Sequence, residues 1–272
     1  MPELALPHRF TYGKDNVAWG VIGEGPPLVL VHGTPFSSQV WRRIAPPLAA
    51  HWRVYYFDLL GYGQSDKHDG QDVSLGAQNG LMAALVGHWQ LDRPDVLAHD
   101  FGGATALRGH YLNGLAYRRL TLVDPVALRP WGSPLVAHVR THEAAFADLP
   151  GYAHRALLDA YIAGAAHRPL CRDTLAIYAA PWQGATGQAA FYRQIAQMDL
   201  RFTDEIERHY GPMAADVTLL WGEKDAWIPL ERGRALADRI AGGVLTVVPE
   251  AGHLVQDDAP EAIIAAMMAR AP

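Results

Sequence analysis

The chain has 272 residues, half of them hydrophobic, which is enough for one large core or a core with an insertion, without disulfide or metal staples. A net charge of −5 with no basic stripe argues against nucleic acid as a partner, and the single cysteine, Cys171, excludes an intrachain disulfide or a cysteine-based zinc site. The opening MPELALPHRF lacks a signal peptide's apolar run, and no apolar stretch reaches the roughly 18 residues of a membrane span, so a soluble, cytoplasmic protein without membrane association is expected.

Short apolar runs alternate with longer helical patterns. Val17–Ile22, Leu28–Val31, Val54–Phe57, Asp95–Leu97 and Leu120–Val123 predict strands, and Val217–Trp221 and Val244–Val248 follow late in the chain. Several are apolar on both faces, as a buried parallel sheet requires. Trp41, Ile44 and Leu48 fall at helical spacing, as do Leu81, Leu85 and Trp89; Gly102–Leu112, Leu230–Ile240 and Pro260–Ala269 complete the predicted helices. Between about Val126 and Gly211 the strand pattern stops. Trp, Tyr, His and Arg are frequent there, and Pro130, Pro134, Pro150, Pro169 and Pro181 divide the stretch into short helices. An inserted helical cap over the strand C-termini, where open α/β sheets bind ligands, accounts for the change.

Chemistry concentrates at five strand ends. Residues 98–103, Ala-His-Asp-Phe-Gly-Gly, have the small-x-nucleophile-x-small-small pattern of a nucleophile elbow, with Asp100 at its tip. A carboxylate is ionised at neutral pH and needs no base to arm it. Its attack on an ester gives a reactive anhydride, whereas attack on an sp3 carbon gives an ordinary alkyl ester, so the elbow points toward epoxides or alkyl halides. The competing reading is an aspartate that merely caps a helix. His32-Gly-Thr34-Pro offers backbone N–H groups, notably at Thr34, to pair with that of Phe101 as an oxyanion hole. Asp58, in DLLGYGQSD, is read as a structural carboxylate for a glycine-rich turn. Asp225, in WGEKDAWIP, is placed to orient an imidazole, with Asp124, in LTLVDP, as its rival. His253 comes last, in the nucleophile-acid-histidine order; His32 and His99 flank turns and read as structural.

These motifs resemble, in order and spacing, those of the α/β-hydrolase superfamily across almost the full chain. The resemblance implies an eight-stranded, mostly parallel sheet flanked by helices, formed by residues 1–125 and 213–272, with a cap at 126–212 inserted after the sixth strand. The aspartate elbow resembles the branch that holds epoxide hydrolases, haloalkane dehalogenases and fluoroacetate dehalogenases. Dehalogenases of that branch hold halide with a Trp after the nucleophile and an Asn or second Trp; Phe101 and Thr34 stand at those positions here, leaving Trp131 and Trp182 of the cap as substitutes. Phe101 and Ala104 also lack the arginine clamp of fluoroacetate dehalogenases. Epoxide hydrolases use cap tyrosines to protonate the leaving alkoxide, and GQAAFYRQ resembles their context and nominates Tyr192, with Tyr152, Tyr161 and Tyr178 as candidates for its partner.

The expected activity is therefore hydrolysis of a small apolar molecule through an ester on Asp100, opening an epoxide to a diol, with dehalogenation as the alternative. A hydrolase-like receptor and a promiscuous esterase are the remaining readings. No phosphate- or dinucleotide-binding loop is present, and none of the 13 histidines has metal-ligand spacing, so neither an organic cofactor nor a metal is expected. The aromatic cap is either a pocket roof or a homodimer contact.

Overall fold

The computed structural model describes residues 2–271. Eight strands form one sheet: β1 (His8–Tyr12), β2 (Asp15–Ile22), β3 (Pro27–Val31), β4 (Arg53–Phe57), β5 (Asp95–His99), β6 (Arg119–Val123), β7 (Asp216–Gly222) and β8 (Thr246–Val248). Their order is β1-β2-β4-β3-β5-β6-β7-β8. β2 runs antiparallel to β1 and β4, and every other pairing is parallel. Leu28, Val29, Leu30 and Val31 of β3 and Val96, Leu97 and Ala98 of β5 are fully buried, which is why these central strands read as unbroken apolar runs.

The edges are harder to read. β1 carries no apolar run, because a mostly exposed edge strand needs none. At the other edge the predicted Val244–Val248 shortens to three residues: Gly242 and Gly243 both adopt positive φ, and Val244 is left 67 % exposed in the connecting loop. The helical spacing of Trp41, Ile44 and Leu48 marks three fully buried side chains but not one helix. Pro46 and Pro47 lack the N–H a continuing helix requires, and the segment divides into a 3-10 turn at Ser38–Trp41 and the short α1 (Ala45–Leu48).

α2 (Leu75–His88), with Leu81 and Leu85 inward, and α3 (Phe101–Asn113) pack together in the core layer. Five helices occupy the stretch between β6 and β7: α4 (Pro134–Ala147), α5 (Gly151–Ala163), α6 (Arg172–Ala179), α7 (Gly184–Ala196) and α8 (Arg201–Glu207). Proline marks their boundaries, at the first position of α4 and the N-cap of α5. After β7 come α9 (Leu230–Ile240), α10 (Val255–Asp258) and α11 (Pro260–Met268). No helix among the described residues is long and apolar enough to cross a membrane.

Candidate active site

Asp100 joins β5 to α3 with φ 53° and ψ −117°, a conformation that non-glycine residues hold only under constraint. The constraint is close backbone packing. A Cβ at Gly102 would lie 2.2 Å from the Val31 carbonyl oxygen, and one at Gly33 would lie 2.4 Å from Asp100 Oδ1. The Asp100 side chain caps nothing in α3. Its Oδ1 accepts the Thr34 N–H at 2.7 Å, and its Oδ2 lies 3.3 Å from His253 Nε2. Phe101 follows at the first position of α3, where a helix leaves its N–H unpaired.

His253 is wholly buried, and its Nδ1 donates to Asp225 Oδ2 at 2.8 Å. Asp225 Oδ1 in turn accepts the N–H groups of Trp227 at 2.7 Å and Ile228 at 2.9 Å. Burial opposes ionisation of Asp225, but the His253 charge and these hydrogen bonds outweigh it and hold the carboxyl below its ordinary range. Burial likewise disfavours a charged His253, yet Asp225 and Asp100 overcome it and hold the imidazole well above its usual value.

Asp124 sits beside this pair without joining it. Its Oδ1 accepts the Gly222 N–H at 2.9 Å, and Oδ2 has no hydrogen-bond partner. Complete burial, then the nearby Asp225 charge, push its carboxyl well upward and favour the neutral acid. Of the two rival aspartates, Asp225 is thus the one that reaches the imidazole nitrogen. Asp58 accepts the N–H groups of Ser38 at 2.8 Å and Gln64 at 2.7 Å, holding the glycine-rich turn. His32 ties Gly33 O to Leu59 N, and burial keeps it neutral. His99 donates from Nε2 to the His253 carbonyl oxygen at 2.9 Å; burial and the facing His253 lower it to about 3.

A cavity of about 250 Å3 opens over Asp100, Thr34 and Phe101. Trp131, Val136, Tyr161 and Met198, from the segment between β6 and β7, cover it, and Trp227 and Ile228 close one side. No lysine or arginine lines it among the described residues. A wider open depression of about 700 Å3, at Asp69, Asp72, Arg193 and Asp199, lies away from this chemistry.

The structure sorts the tyrosines and indoles nominated as leaving-group donors by their distance from the cavity. Tyr192 is fully buried among Phe146, His154 and Phe191, outside the cavity lining, and its hydroxyl donates to His154 Nδ1 at 3.0 Å. Its one proton is already committed, because His154 Nε2 spends its own on the Trp182 carbonyl. Tyr178 is held by Arg42 and Asp257, and Tyr152 is 82 % exposed. Of the four candidate tyrosines only Tyr161 lines the cavity. Burial, then the Asp100 charge, push its phenol up, and it stays neutral. The two indoles of the segment between β6 and β7 are also occupied: Trp131 donates to Thr203 at 2.9 Å and Trp182 to the Pro35 carbonyl at 2.7 Å.

Two features escaped the sequence reading. Gln194 of α7 accepts from Thr34 Oγ1 at 2.6 Å and from Tyr62 at 2.9 Å, tying the helical segment to the loop that grips Asp100. Trp227 stacks on His253; its place two residues after Asp225 was the available signal.

An eight-stranded, mostly parallel sheet carrying an acid, a histidine and a second carboxylate at its strand ends defines an α/β-hydrolase. The profile of the alpha/beta hydrolase family matches residues 28–266, and the chain belongs to that family. It is similar to an alpha/beta hydrolase fold protein from Burkholderia ambifaria, whose crystal structure superposes with a TM-score of 0.96 at 62 % identity, covering 98 % of each chain. It is 28 % identical over 272 residues to haloalkane dehalogenase 2 of Mycobacterium bovis, covering 91 % of this chain and 88 % of the relative. A soluble epoxide hydrolase of Corynebacterium sp. is 38 % identical over 105 residues, 38 % of this chain and 36 % of that protein. The chain is a hydrolase whose relatives include both activities.

Proposed function

We propose that this hydrolase opens a small apolar epoxide to a vicinal diol through an ester on Asp100. The observation that carries the reading is an ionisable oxygen at a strained turn, gripped by the Thr34 N–H and 3.3 Å from an imidazole that is itself bonded to Asp225. The five helices between β6 and β7 act as the cap.

In the first step an Asp100 oxygen attacks an epoxide carbon. The carbon–oxygen bond breaks, its electrons pass to the ring oxygen, and Tyr161 supplies the proton that makes it a hydroxyl. As the Asp100 charge is consumed, one of the two influences raising the Tyr161 phenol disappears. In the second step His253 takes a proton from water, and hydroxide attacks the ester carbonyl carbon. The N–H groups of Thr34 and Phe101 hold the tetrahedral oxyanion, a contribution typically worth about a hundredfold or more per donor. The tetrahedral intermediate collapses, the bond from the acyl carbon to the alkyl oxygen breaks, and the proton of the added hydroxyl passes to the departing alkoxide. The diol leaves, Asp100 is restored as a carboxylate, and the His253 proton returns through solvent to the Tyr161 phenolate.

Size and polarity limit the substrate. At condensed-phase packing densities the cavity volume of about 250 Å3 holds roughly eight to ten non-hydrogen atoms. The lack of a lining cation disfavours carboxylate substrates such as fluoroacetate. Haloalkane dehalogenation is the second reading, favoured by the 28 % identical dehalogenase and by the Trp227 indole in the cavity wall. Phe101 and the committed Trp131 and Trp182 weigh against it, since each removes a halide donor.

The test is intact mass on a His253→Gln variant exposed to styrene oxide-type epoxides and bromoalkanes, with diol and halide assayed for the unaltered chain. An adduct equal to the epoxide's mass, on Asp100, is expected. An adduct with bromoalkanes alone, with bromide released, replaces the epoxide reading by the dehalogenase. An inactive variant with no adduct from any substrate refutes the covalent scheme.

A further inference from the structure

Trp227 does two things at once. Its backbone N–H donates to Asp225 Oδ1 at 2.7 Å, and its indole lies over the His253 imidazole with ring centroids 5.0 Å apart and planes 26° from parallel. It also stacks on Tyr161, at 4.7 Å and 28°. Three rings thus run from the imidazole to the cavity-lining hydroxyl of α5.

We propose that Trp227 is a positioning residue of the second chemical step, its indole face holding His253 toward Asp225 and stabilising the imidazolium formed when water gives up its proton. The proposal rests on the reading of His253 as that step's base. A cation within about 6 Å of an indole centroid is attracted by the ring's electron-rich face, more strongly over Trp than over Phe. The other groups facing His253 are accounted for. Asp225 bonds Nδ1, Asp100 lies 3.3 Å from Nε2, and neutral His99 flanks the ring at 4.8 Å between centroids. Asp124 offers an oxygen within 4.8 Å of the Asp225–His253 pair, but burial and the Asp225 charge push its carboxyl well upward. Trp227 is the aromatic face added to this set.

The two functions of residue 227 are separable, because the N–H that holds Asp225 survives any substitution except proline. Trp227→Leu keeps an apolar cover on the imidazole and removes the π face; Trp227→Phe restores a weaker one. The His253 titration is followed by NMR in the full chain, its resonance assigned by comparison with His253→Gln. Loss of the face disfavours the charged form, so the midpoint is expected to fall by about half to one and a half pH units in Trp227→Leu and by less in Trp227→Phe. Single-turnover kinetics with an epoxide give the second readout. Ester hydrolysis on its alkaline plateau is expected to slow about three- to tenfold in Trp227→Leu and to recover partly in Trp227→Phe; ester formation, measured separately because Trp227 also lines the cavity and stacks on Tyr161, is expected to slow by less. An unmoved or raised midpoint overturns the proposal, as does a variant that alters only substrate affinity or ester formation. If no substrate forms an ester, the functional reading fails, while the titration still decides the role of Trp227.

Discussion

The strand-end site and the helical segment above it are built by different logics. Asp100, Asp225 and His253 stand where β5, β7 and β8 give way to loops, so the sheet's hydrogen-bond register sets their separations. Both carboxylates have their orientation specified by backbone donors, Thr34 N for Asp100 and Trp227 N and Ile228 N for Asp225, and Asp225 in turn holds His253. The helical segment between β6 and β7 has no such frame. Its tyrosines are sorted by helix packing alone, which buries Tyr192 against His154, ties Tyr178 to Arg42 and leaves Tyr161 over the cavity. On the proposed mechanism, the reaction class is written into the strand ends, while the leaving-group donor is whichever side chain helix packing leaves over the cavity.

The sharpest way to break this contrast is to exchange the two neighbouring acids. Asp225→Asn removes the charge behind the imidazole and presents an amide to Nδ1, and ester hydrolysis is expected to fall by about three to four orders of magnitude. Asp124→Asn should cost less than about tenfold, since Asp124 bonds the Gly222 N–H rather than the imidazole and an amide oxygen can keep that bond. Equal losses in a single-turnover assay would mean that the two acids share the role.

A smaller effect is expected in the roof. Tyr161→Phe should slow ester formation from an epoxide by about a hundredfold and leave hydrolysis of an ester already formed nearly untouched. A variant with unaltered epoxide turnover would remove Tyr161 from the scheme and return attention to the dehalogenase reading.

The pH dependence separates the two steps. His253 must be neutral to accept a proton from water, and the Asp225 and Asp100 charges hold it well above its usual value in the resting chain. Esterification removes the Asp100 charge and therefore lowers the His253 midpoint. The acid limb of ester hydrolysis is expected at a lower pH than the His253 titration measured by NMR in the free chain; coincidence of the two would show that the Asp100 charge has no hold on the imidazole. Stability should follow the same sign. The contribution of His253 is full below its unfolded value near 6.5 and is lost as pH rises through the raised folded value.

The smallest catalytic effect belongs to Tyr192. Tyr192→Phe leaves His154 Nδ1 a buried acceptor without its donor, at a cost of about 1–3 kcal/mol in urea unfolding, with turnover within about twofold. A large loss of turnover without loss of stability would restore Tyr192 to the chemistry.

What could be read in advance follows the same division. Buried parallel strands announce themselves, because both faces must be apolar. The five loop motifs stand at strand ends in chain order, and an aspartate at the elbow carries its reaction class with it. β1 and the shortened β8 were illegible or overextended because edge strands face solvent and have no such pattern. Trp41, Ile44 and Leu48 were correctly marked as inward-facing, but prolines prevented the continuous helix their spacing suggested.

The amino-acid sequence by itself therefore determined the sheet, the order of its motifs and the charged oxygen at residue 100, since strand burial and turn chemistry are local in origin. Only the tertiary structure decided between Asp225 and Asp124, moved the free hydroxyl from Tyr192 to Tyr161, engaged Trp131 and Trp182, and laid Trp227 on His253. Those outcomes depend on which partner each polar group meets across distant segments, and hydrogen-bond competition of that kind has no period in the chain to be read from.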